Sequence, residues 1–522
     1  MSRATRTALV RDDRTLYEAV AGTAVGLSGV AFVVGLAALL GLVGIDDPVA
    51  GVGLSVALGA LLLALGASVV GFGMASRFGF VDAAPQPSAG IVAAVAFTAI
   101  WGAVGAAASG AAGIGTGGRL ALGAVLGGTA FAATAFPRED VGSTAPAGAL
   151  AVLCGLSLLT GLIGPGWERA LDGYNATLFG DTVVPAVVLF ASLVTGWSAA
   201  KAYGGFGARG RNVGAYVLIY LVVGSILAVL VGLVAFVAAK GLPGLFNGFS
   251  LGGSGLVSWP FLTSGAGLTA EVAGVFPALL GTIWLVAGAV LFAVPTGVGA
   301  AVFLSEYAEQ GRFTGAVEVA TNGLWSTPSI VFGLFGAAFL IPRFGNQKSL
   351  IAGMLTLGFM LLPLVLITSR EAILAVPDEY RDASAALGVS KWQTVRSVVL
   401  PAAIPGVTTG VILGVGRIAG ETAPILLTMG GGVLPAKSAA PDVLGSFRLS
   451  ASPPFVSNPS LLEATSALPY QLYALITAGL SGNIQNPQEY AWGLALTLLL
   501  VVLAFYAVGI ATRYYFRRKL HQ

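Results

Sequence analysis

Charged residues are scarce in this sequence of 522 residues. Asp, Glu, Lys and Arg together make up 9% of the chain and hydrophobic residues make up 56%. Soluble domains usually contain roughly 25% charged residues. A soluble protein of this length needs a surface that water can wet, and this chain has too few charges to provide one. We therefore expect lipid to be the solvent for most of the chain.

Other scarcities exclude whole classes of site. The single cysteine, Cys154, excludes a disulfide framework and a thiolate metal site within the chain. The single histidine, His521, excludes histidine-based metal sites and Ser-His triads unless a partner contributes to them. No Gly-Lys pair occurs, so the chain lacks the loop that cradles ATP phosphates, and the net charge of +3 is too small to indicate nucleic acid. We expect no metal, no other cofactor and no ATP hydrolysis by this chain itself.

Long apolar stretches between the few charges predict an all-α, polytopic membrane protein. A helix needs roughly 20 apolar residues to cross the hydrocarbon core. About twelve stretches qualify, six in each half of the chain: 20–44, 51–74, 89–111, 120–136, 146–163, 183–200, 213–238, 275–304, 319–341, 349–368, 402–427 and 490–512. A signal peptide is the alternative for the first stretch, but signals have only about 7–15 apolar residues. We expect a retained span there.

The placement of Lys and Arg predicts the orientation of these spans. Cytoplasmic loops carry an excess of basic residues, and this rule places both termini in the cytoplasm. The long connections 240–274 and 428–489 then lie outside, as does a glycosylation sequon at Asn175. We expect a multi-pass protein of a prokaryotic cell membrane.

The two halves of the sequence differ in where their few polar residues fall. Residues 1–204 contain six predicted spans without a charge inside them, and we expect an accessory bundle. Residues 205–522 have proline within spans, charged cytoplasmic loops and an Arg and a Glu at mid-membrane. Polar groups and broken helices are costly in a membrane and mark function there. We therefore assign the working domain to 205–522.

The longest charged stretch, 369–401, connects two spans on the cytoplasmic side. Pro377 and the acids after it predict a short amphipathic helix over 378–387. Gly388 ends that helix, and 391–400 predicts a second one. The alternative is an ordinary solvated loop.

This stretch resembles the EAA loop of ABC importer permeases. The family pattern is Glu-Ala-Ala, three residues, Gly, nine residues and Ile-x-Leu-Pro. Here Asp382-Ala383-Ser384 is followed at the same spacing by Gly388 and by Val398-Val399-Leu400-Pro401. In that family the loop docks into a groove on a cytoplasmic ATPase. The resemblance implies that 379–392 couples to an ATPase through Glu379, Asp382, Ala383, Ser384, Gly388 and Lys391.

A second set of motifs is similar to the permeases of phosphate uptake, in particular the A type. These are Arg417-Ile418-Ala419-Gly420-Glu421-Thr422-Ala423-Pro424, Val294-Pro295-Thr296-Gly297, Leu304-Ser305-Glu306-Tyr307 and Thr327-Pro328-Ser329 with the apolar run after it. The resemblance covers about 205–515. It implies six core spans of a type I importer and four kinds of partner: a second homologous permease, two copies of a P-loop ATPase, an extracytoplasmic phosphate-binding protein and the lipid bilayer.

Arg417 and Glu421 are the candidate substrate residues. Within one helix, positions four apart share a face, so we expect an ion pair midway along the 402–427 span. A guanidinium offers a planar fork of donors that matches a phosphate edge. The alternative is that the two residues neutralise each other or fix neighbouring helices and do nothing else.

Three hydroxyls, on Thr422, Thr327 and Ser329, are further candidates for the substrate pathway. Each could equally bond back to its own helix backbone. Pro295, Pro328 and Pro405 fall inside predicted spans, and we expect each of them to bend its helix.

The sequence leaves other functions open. The nearest are a permease for another oxyanion, such as molybdate or sulfate, and the C-type partner in phosphate uptake. An ion-coupled secondary transporter would account for twelve spans but not for the EAA-like loop. A scaffold without transport would not account for Arg417 and Glu421.

Overall fold

The computed structural model describes residues 16–81, 83–170, 176–251, 257–266, 273–309, 311–432, 434–452, 455–478 and 486–520. The basic start of the chain and Asn175 of the sequon lie outside these residues. Contacts divide the chain into two units, Met1–Gly232 and Leu233–Gln522. This structural boundary lies inside a helix, whereas the functional boundary between 204 and 205 stays a prediction.

The first unit is built of paired helices with two short hairpins. Its helices are α1 Leu16–Leu39, α2 Leu54–Arg77, α3 Ile91–Ala111, α4 Thr116–Ala135, α5 Glu139–Leu159 and α6 Gly180–Tyr203, and α7 Gly207–Leu245 crosses the boundary. Two antiparallel hairpins join strands β1 Pro48–Val49 to β2 Val52–Gly53 and β3 Glu168–Ala170 to β4 Thr177–Phe179.

Small residues let the helices of the first unit approach closely. Helix α2 packs along α5, α1 along α6 and α3 along α4. A Cβ atom on Gly66 of α2 would lie only 2.6 Å from the carbonyl oxygen of Gly148 on α5. Such backbone contact is how helices gain packing energy in lipid, where the hydrophobic effect does not drive them together.

The second unit is also helical. Its α-helices are α8 Pro260–Thr263, α9 Phe276–Val302, α10 Arg312–Ser326, α11 Ser329–Phe335, α12 Leu350–Leu374, α13 Asp378–Ala386, α14 Lys391–Thr394, α15 Leu400–Ala419, α16 Ala423–Thr428, α17 Pro459–Leu462, α18 Leu468–Ala478 and α19 Pro487–Leu520. Single π turns follow α9, α11 and α14 at Phe303–Tyr307, Gly336–Leu340 and Val395–Val399, and 3-10 turns lie at Ile341–Arg343 and Lys437–Ala439. Its strands pair as β5 Ser250–Leu251 with β6 Val257–Ser258 and β7 Arg448–Leu449 with β8 Val456–Ser457.

The expectation of about twelve spans is confirmed, with one of them broken. Within the described residues, eleven helices are long and apolar enough to cross a membrane. The twelfth span is the pair Arg312–Ser326 and Ser329–Arg343, which bends by 103°. The break falls at Thr327 and Pro328, because proline has no N–H to continue the helix and disfavours a helical residue before it. Pro295 and Pro405, by contrast, lie inside helices that continue past them.

The prediction of one continuous helix over 402–427 is wrong. The helix runs from Lys391 through Pro401 to Ala419, and a second helix starts at Ala423. The backbone N–H groups of Gly420 and Glu421 close the first helix by donating long hydrogen bonds, 3.4 and 3.3 Å, to the carbonyls three residues before them. Pro424 cannot donate to the Gly420 carbonyl, and glycine is a poor helix former, so the helix does not continue. The same finding corrects the second loop helix, which does not end at Leu400-Pro401.

The expectation that the first half has no charge inside its spans is also wrong. Helix α5 starts at Glu139 and α6 ends at Tyr203, so Glu139, Asp140 and Lys201 all lie within these helices and are buried. The sequence interpretation counted only the apolar stretches, and the helices extend beyond them.

Candidate functional site

Arg417 and Glu421 lie together, but not on one helix face as predicted. Arg417 occupies the last turn of α15, whereas Glu421 lies in the break that follows. The Arg417 Nε is 3.9 Å from the Glu421 Oε1, and the two side chains are 35% and 17% exposed. This distance is an ion pair without a hydrogen bond. The turn after Ala419 brings Glu421 back toward Arg417.

The Arg417 guanidinium has unused donors. Its carbon lies 4.3 Å from the centre of the Trp325 ring, close enough for a cation–π contact. In the part of the chain that the structure describes, its N–H groups donate no hydrogen bond, although a guanidinium carries five of them. Trp325 was missed by sequence reasoning, and its position two residues before Thr327-Pro328 was the available signal. Arg417 is therefore held loosely by one ring and one carboxylate.

The three candidate hydroxyls lie at the two helix breaks. Thr327 and Ser329 flank Pro328, and Thr422 directly precedes α16. The Thr327 hydroxyl donates to the Gly323 carbonyl at 2.9 Å, so it bonds back to its own helix backbone. Within the described residues the hydroxyls of Ser329 and Thr422 form no hydrogen bond, and none of the three is bonded to Arg417.

The helices that follow the two breaks pack against each other. A Cβ atom on Gly333 of α11 would lie 2.9 Å from the Cα of Pro424 on α16. A Cβ atom on Gly336 would collide with the side chains of Thr356 on α12 and Thr428 on α16. Glycine at both positions allows this close approach. The helices after the two breaks, α11 and α16, therefore pack together near Arg417.

A polar cavity of about 410 Å³ lies between α10 and α12. From α10 it is lined by Thr314, Glu318, Thr321 and Asn322, and the same helix carries Trp325 one turn further on. These spacings place the polar side chains on one face of α10. From α12, Arg370 reaches across the cavity to Glu318 at 3.5 Å, and the buried Arg370 Nε has no hydrogen-bond partner among the described residues.

The predicted helix-glycine-helix loop is confirmed. Helix α13 ends before Gly388, whose φ of +73° other residues rarely adopt, and α14 starts at Lys391. Ser390 and Gln393 form a capping box that starts the second helix. Of the residues assigned to coupling, five are exposed and one, Ser384, is buried.

Large apolar side chains are also exposed on this loop. Leu387 is 82% exposed and Trp392 is 58% exposed, and Tyr380 and Val389 are exposed too. Exposed charged side chains, Asp378, Glu379, Asp382 and Lys391, lie on the same loop. Such a mixture of apolar and charged side chains on a protruding turn indicates a surface that a partner covers.

Arg381, which sequence reasoning missed, ties the loop to the ends of two spans. It forms an ion pair with Glu306 at 2.9 Å and donates to the carbonyls of Ile373 and Val376. Lys391 adds a second tie, because its ammonium lies 5.2 Å from the centre of the Tyr307 ring. The Leu304-Ser305-Glu306-Tyr307 motif is therefore the anchor of the loop.

Known proteins resemble this chain over its second half. Residues 293–521 match the family described as "Binding-protein-dependent transport system inner membrane component". The "Probable ABC transporter permease protein YqgI" of Bacillus subtilis (strain 168) is 37% identical over 199 residues, 38% of this chain and 68% of that protein. The "Phosphate transport system permease protein PstA" of Mycobacterium leprae (strain TN) is 35% identical over 251 residues, 47% of this chain and 72% of that protein.

Among solved structures, the inward-facing MetNI methionine ABC transporter is similar over 47% of this chain and 94% of that chain. Its sequence identity is 18% and its TM-score is 0.34. The relatives confirm the resemblance that the sequence motifs indicated. The chain belongs to the family of inner-membrane permease components of binding-protein-dependent ABC transport systems.

Proposed function

We propose that this chain is the membrane permease subunit of an ATP-driven importer of inorganic phosphate. The observation that carries the proposal is Arg417, a half-buried guanidinium whose N–H groups donate no hydrogen bond among the described residues and which lies beside a broken span and the end of another. The name of the Mycobacterium leprae relative, a phosphate transport permease, supports the choice of substrate.

The chemistry of Arg417 suits an oxyanion. A guanidinium binds phosphate through two parallel N–H···O bonds, and the contact of Arg417 with the Trp325 ring uses none of its N–H groups in a hydrogen bond among the described residues. A transported ion must also leave, so the site must bind weakly. Glu421 limits the affinity by competing for Arg417. Its carboxylate could also accept the proton of a hydrogenphosphate, which sulfate lacks.

The polar face of α10 supplies a route from Arg417. Trp325 contacts Arg417 at one end of this face, and Thr314 lines the cavity at the other. Along the route Arg370 offsets the charge of Glu318, and Glu371, which also lines the cavity, adds a second negative charge. We assign Thr327, Ser329 and Thr422 to the path where the two spans break.

Coupling to ATP hydrolysis is assigned to 379–392. Its exposed apolar residues, its turn at Gly388 and its tie to the spans through Arg381 support a docking role. An importer of this design needs two copies of a P-loop ATPase, a second homologous permease and an extracytoplasmic phosphate-binding protein. Residues 1–204 form an accessory bundle in this proposal, and both termini are cytoplasmic.

The test of substrate is competitive uptake. Cells that lack their own phosphate importers would express the chain with its neighbouring permease, ATPase and binding-protein genes, and take up labelled phosphate. Excess unlabelled phosphate should abolish the signal, and equal sulfate or molybdate should leave it unchanged. Competition by sulfate or molybdate would assign the chain to another oxyanion, and uptake that survives loss of the ATPase gene would indicate an ion-coupled transporter.

The coupling assignment has its own test. The chain with residues 379–392 scrambled should no longer co-purify with the ATPase. Scrambling the outer segment 441–452, of similar length, is the matched control and should leave the ATPase bound. If the ATPase stays with the first variant, the assignment fails.

A further inference from the structure

A basic cavity lies beside the coupling loop, apart from Arg417 and the polar cavity. It has a volume of about 750 Å³ and is formed by the end of α19, the start of α15 and Tyr380 of α13. Arg513 and Arg517 line it from α19, and Ser397 lines it from the π turn before α15. None of the described residues that line it carries a carboxylate.

The two arginines are a matched pair without counter-charges. They lie four residues apart, so they point from the same face of α19. Both are exposed, and neither forms an ion pair within the described residues. Two like charges on one helix face repel each other. An anion between them would remove that repulsion.

An apolar groove continues from this cavity. It has a volume of about 300 Å³, shares Tyr380 and Ala402 with the basic cavity, and is otherwise lined by small and apolar residues: Ala372, Ala375, Val376, Pro377, Ala403 and Gly406. The same end of α19 carries exposed Tyr514 and Tyr515, residues typical of the membrane–water interface.

We propose that this composite cavity binds an anionic phospholipid. Arg513 and Arg517 hold the headgroup phosphate, with the hydroxyls of Ser397 and Tyr380 as further donors, and the groove beyond Ala402 receives an acyl chain. Basic pockets between membrane helices on the cytoplasmic side are typical sites for such headgroups. The site is independent of the transported substrate, because it shares no residue with the proposed path.

Inorganic phosphate has the same headgroup chemistry, but the apolar groove favours the lipid. A free ion would use only the basic end, whereas a lipid uses both. A carboxylate of a protein partner is the other anion that could occupy the basic end. The test separates these sources.

The experiment is lipid retention by the purified full chain, measured by native mass spectrometry from detergent supplemented with phosphatidylglycerol or phosphatidylcholine. The wild type should retain phosphatidylglycerol selectively. The double variant Arg513→Gln, Arg517→Gln should weaken that retention on the order of 30-fold, at about fivefold for each arginine. Arg518→Gln is the matched control, because Arg518 is an exposed neighbour that does not line the cavity.

A second variant tests the groove. Ala402→Leu fills the junction of the two cavities and should weaken phosphatidylglycerol retention while both arginines remain. Equal retention of phosphatidylglycerol by the wild type and the double variant would overturn the proposal. So would displacement of the lipid by millimolar inorganic phosphate, or loss of ATPase co-purification in the double variant with lipid retention unchanged.

Discussion

Each unit of this protein contains an ion pair among its helices, and the two pairs differ in distance, burial and hydrogen bonding. In the first unit, Lys201 lies 2.9 Å from Glu139, and both side chains are 1% exposed. The second Glu139 oxygen accepts the backbone N–H groups of Gln86 and Gly207. In the second unit, Arg417 and Glu421 are 3.9 Å apart, partly exposed and without a hydrogen bond between them.

This difference distinguishes a charge that stabilises the fold from a charge that can bind a ligand. Glu139 joins three chain segments through Gln86, Lys201 and Gly207, and its oxygens are already in use. A buried charge tolerates this environment only with such partners. Arg417 donates no hydrogen bond in the described part of the chain, and it lies at the end of one span and beside the break in another. In a membrane protein, an Arg whose charge is only partly neutralised is a candidate for binding a transported anion.

The largest effect is expected from breaking the Lys201–Glu139 pair. Lys201→Met leaves the buried Glu139 carboxylate with Arg211, 3.7 Å away and partly exposed, as its remaining cation, and should destabilise the first unit by up to about 3–5 kcal/mol. Thermal unfolding of the purified chain measures this effect. Arg209→Gln, an exposed neighbour, is the control, and the double variant Glu139→Gln, Lys201→Met should recover part of the loss. An unchanged unfolding temperature for Lys201→Met would mean that the pair is not structural.

The next effect is expected at the anchor of the coupling loop. Arg381→Gln removes the ion pair with Glu306 and with it about 1.5–3 kcal/mol of charge-assisted bonding. Uptake should fall about tenfold or more, while membrane abundance stays normal. The exposed Arg396 provides the matched control as Arg396→Gln. Normal uptake by the Arg381 variant would show that the loop does not need this anchor.

A smaller effect is expected from breaking the Arg417–Glu421 pair. A partly exposed ion pair contributes about 0–1 kcal/mol, so Glu421→Gln should leave the unfolding temperature unchanged and alter uptake by about fivefold at most. Initial rates at several phosphate concentrations measure this change. A loss of folded protein comparable to that of Lys201→Met would erase the distinction between the two pairs.

The smallest effects are expected at the two hydroxyls beside Pro328. Thr327→Ala removes only a bond to the chain's own Gly323 carbonyl, and uptake should change by less than about twofold. Ser329→Ala removes a hydroxyl without a partner in the described residues and should reduce uptake more. The reverse order of the two variants would contradict the assignment of Ser329 to the path.

The sequence predicted what local patterns determine. Apolar stretches predicted the spans, and Pro377 and Gly388 predicted the two helices of the loop. The prediction failed where one residue ends a helix inside an apolar run, as Pro424 does, because hydropathy does not register a break. It also missed contacts between distant segments, such as Arg417 with Trp325 and Arg381 with Glu306. No spacing rule links residues so far apart in the chain.

The most direct test of the central claim is phosphate uptake by the Arg417→Gln variant, expressed with its partner genes in cells without other phosphate importers. Glutamine keeps a polar side chain but removes the charged fork. The account predicts that uptake is abolished while membrane abundance and the unfolding temperature match the wild type. Uptake at the wild-type rate would show that Arg417 is not part of the phosphate path.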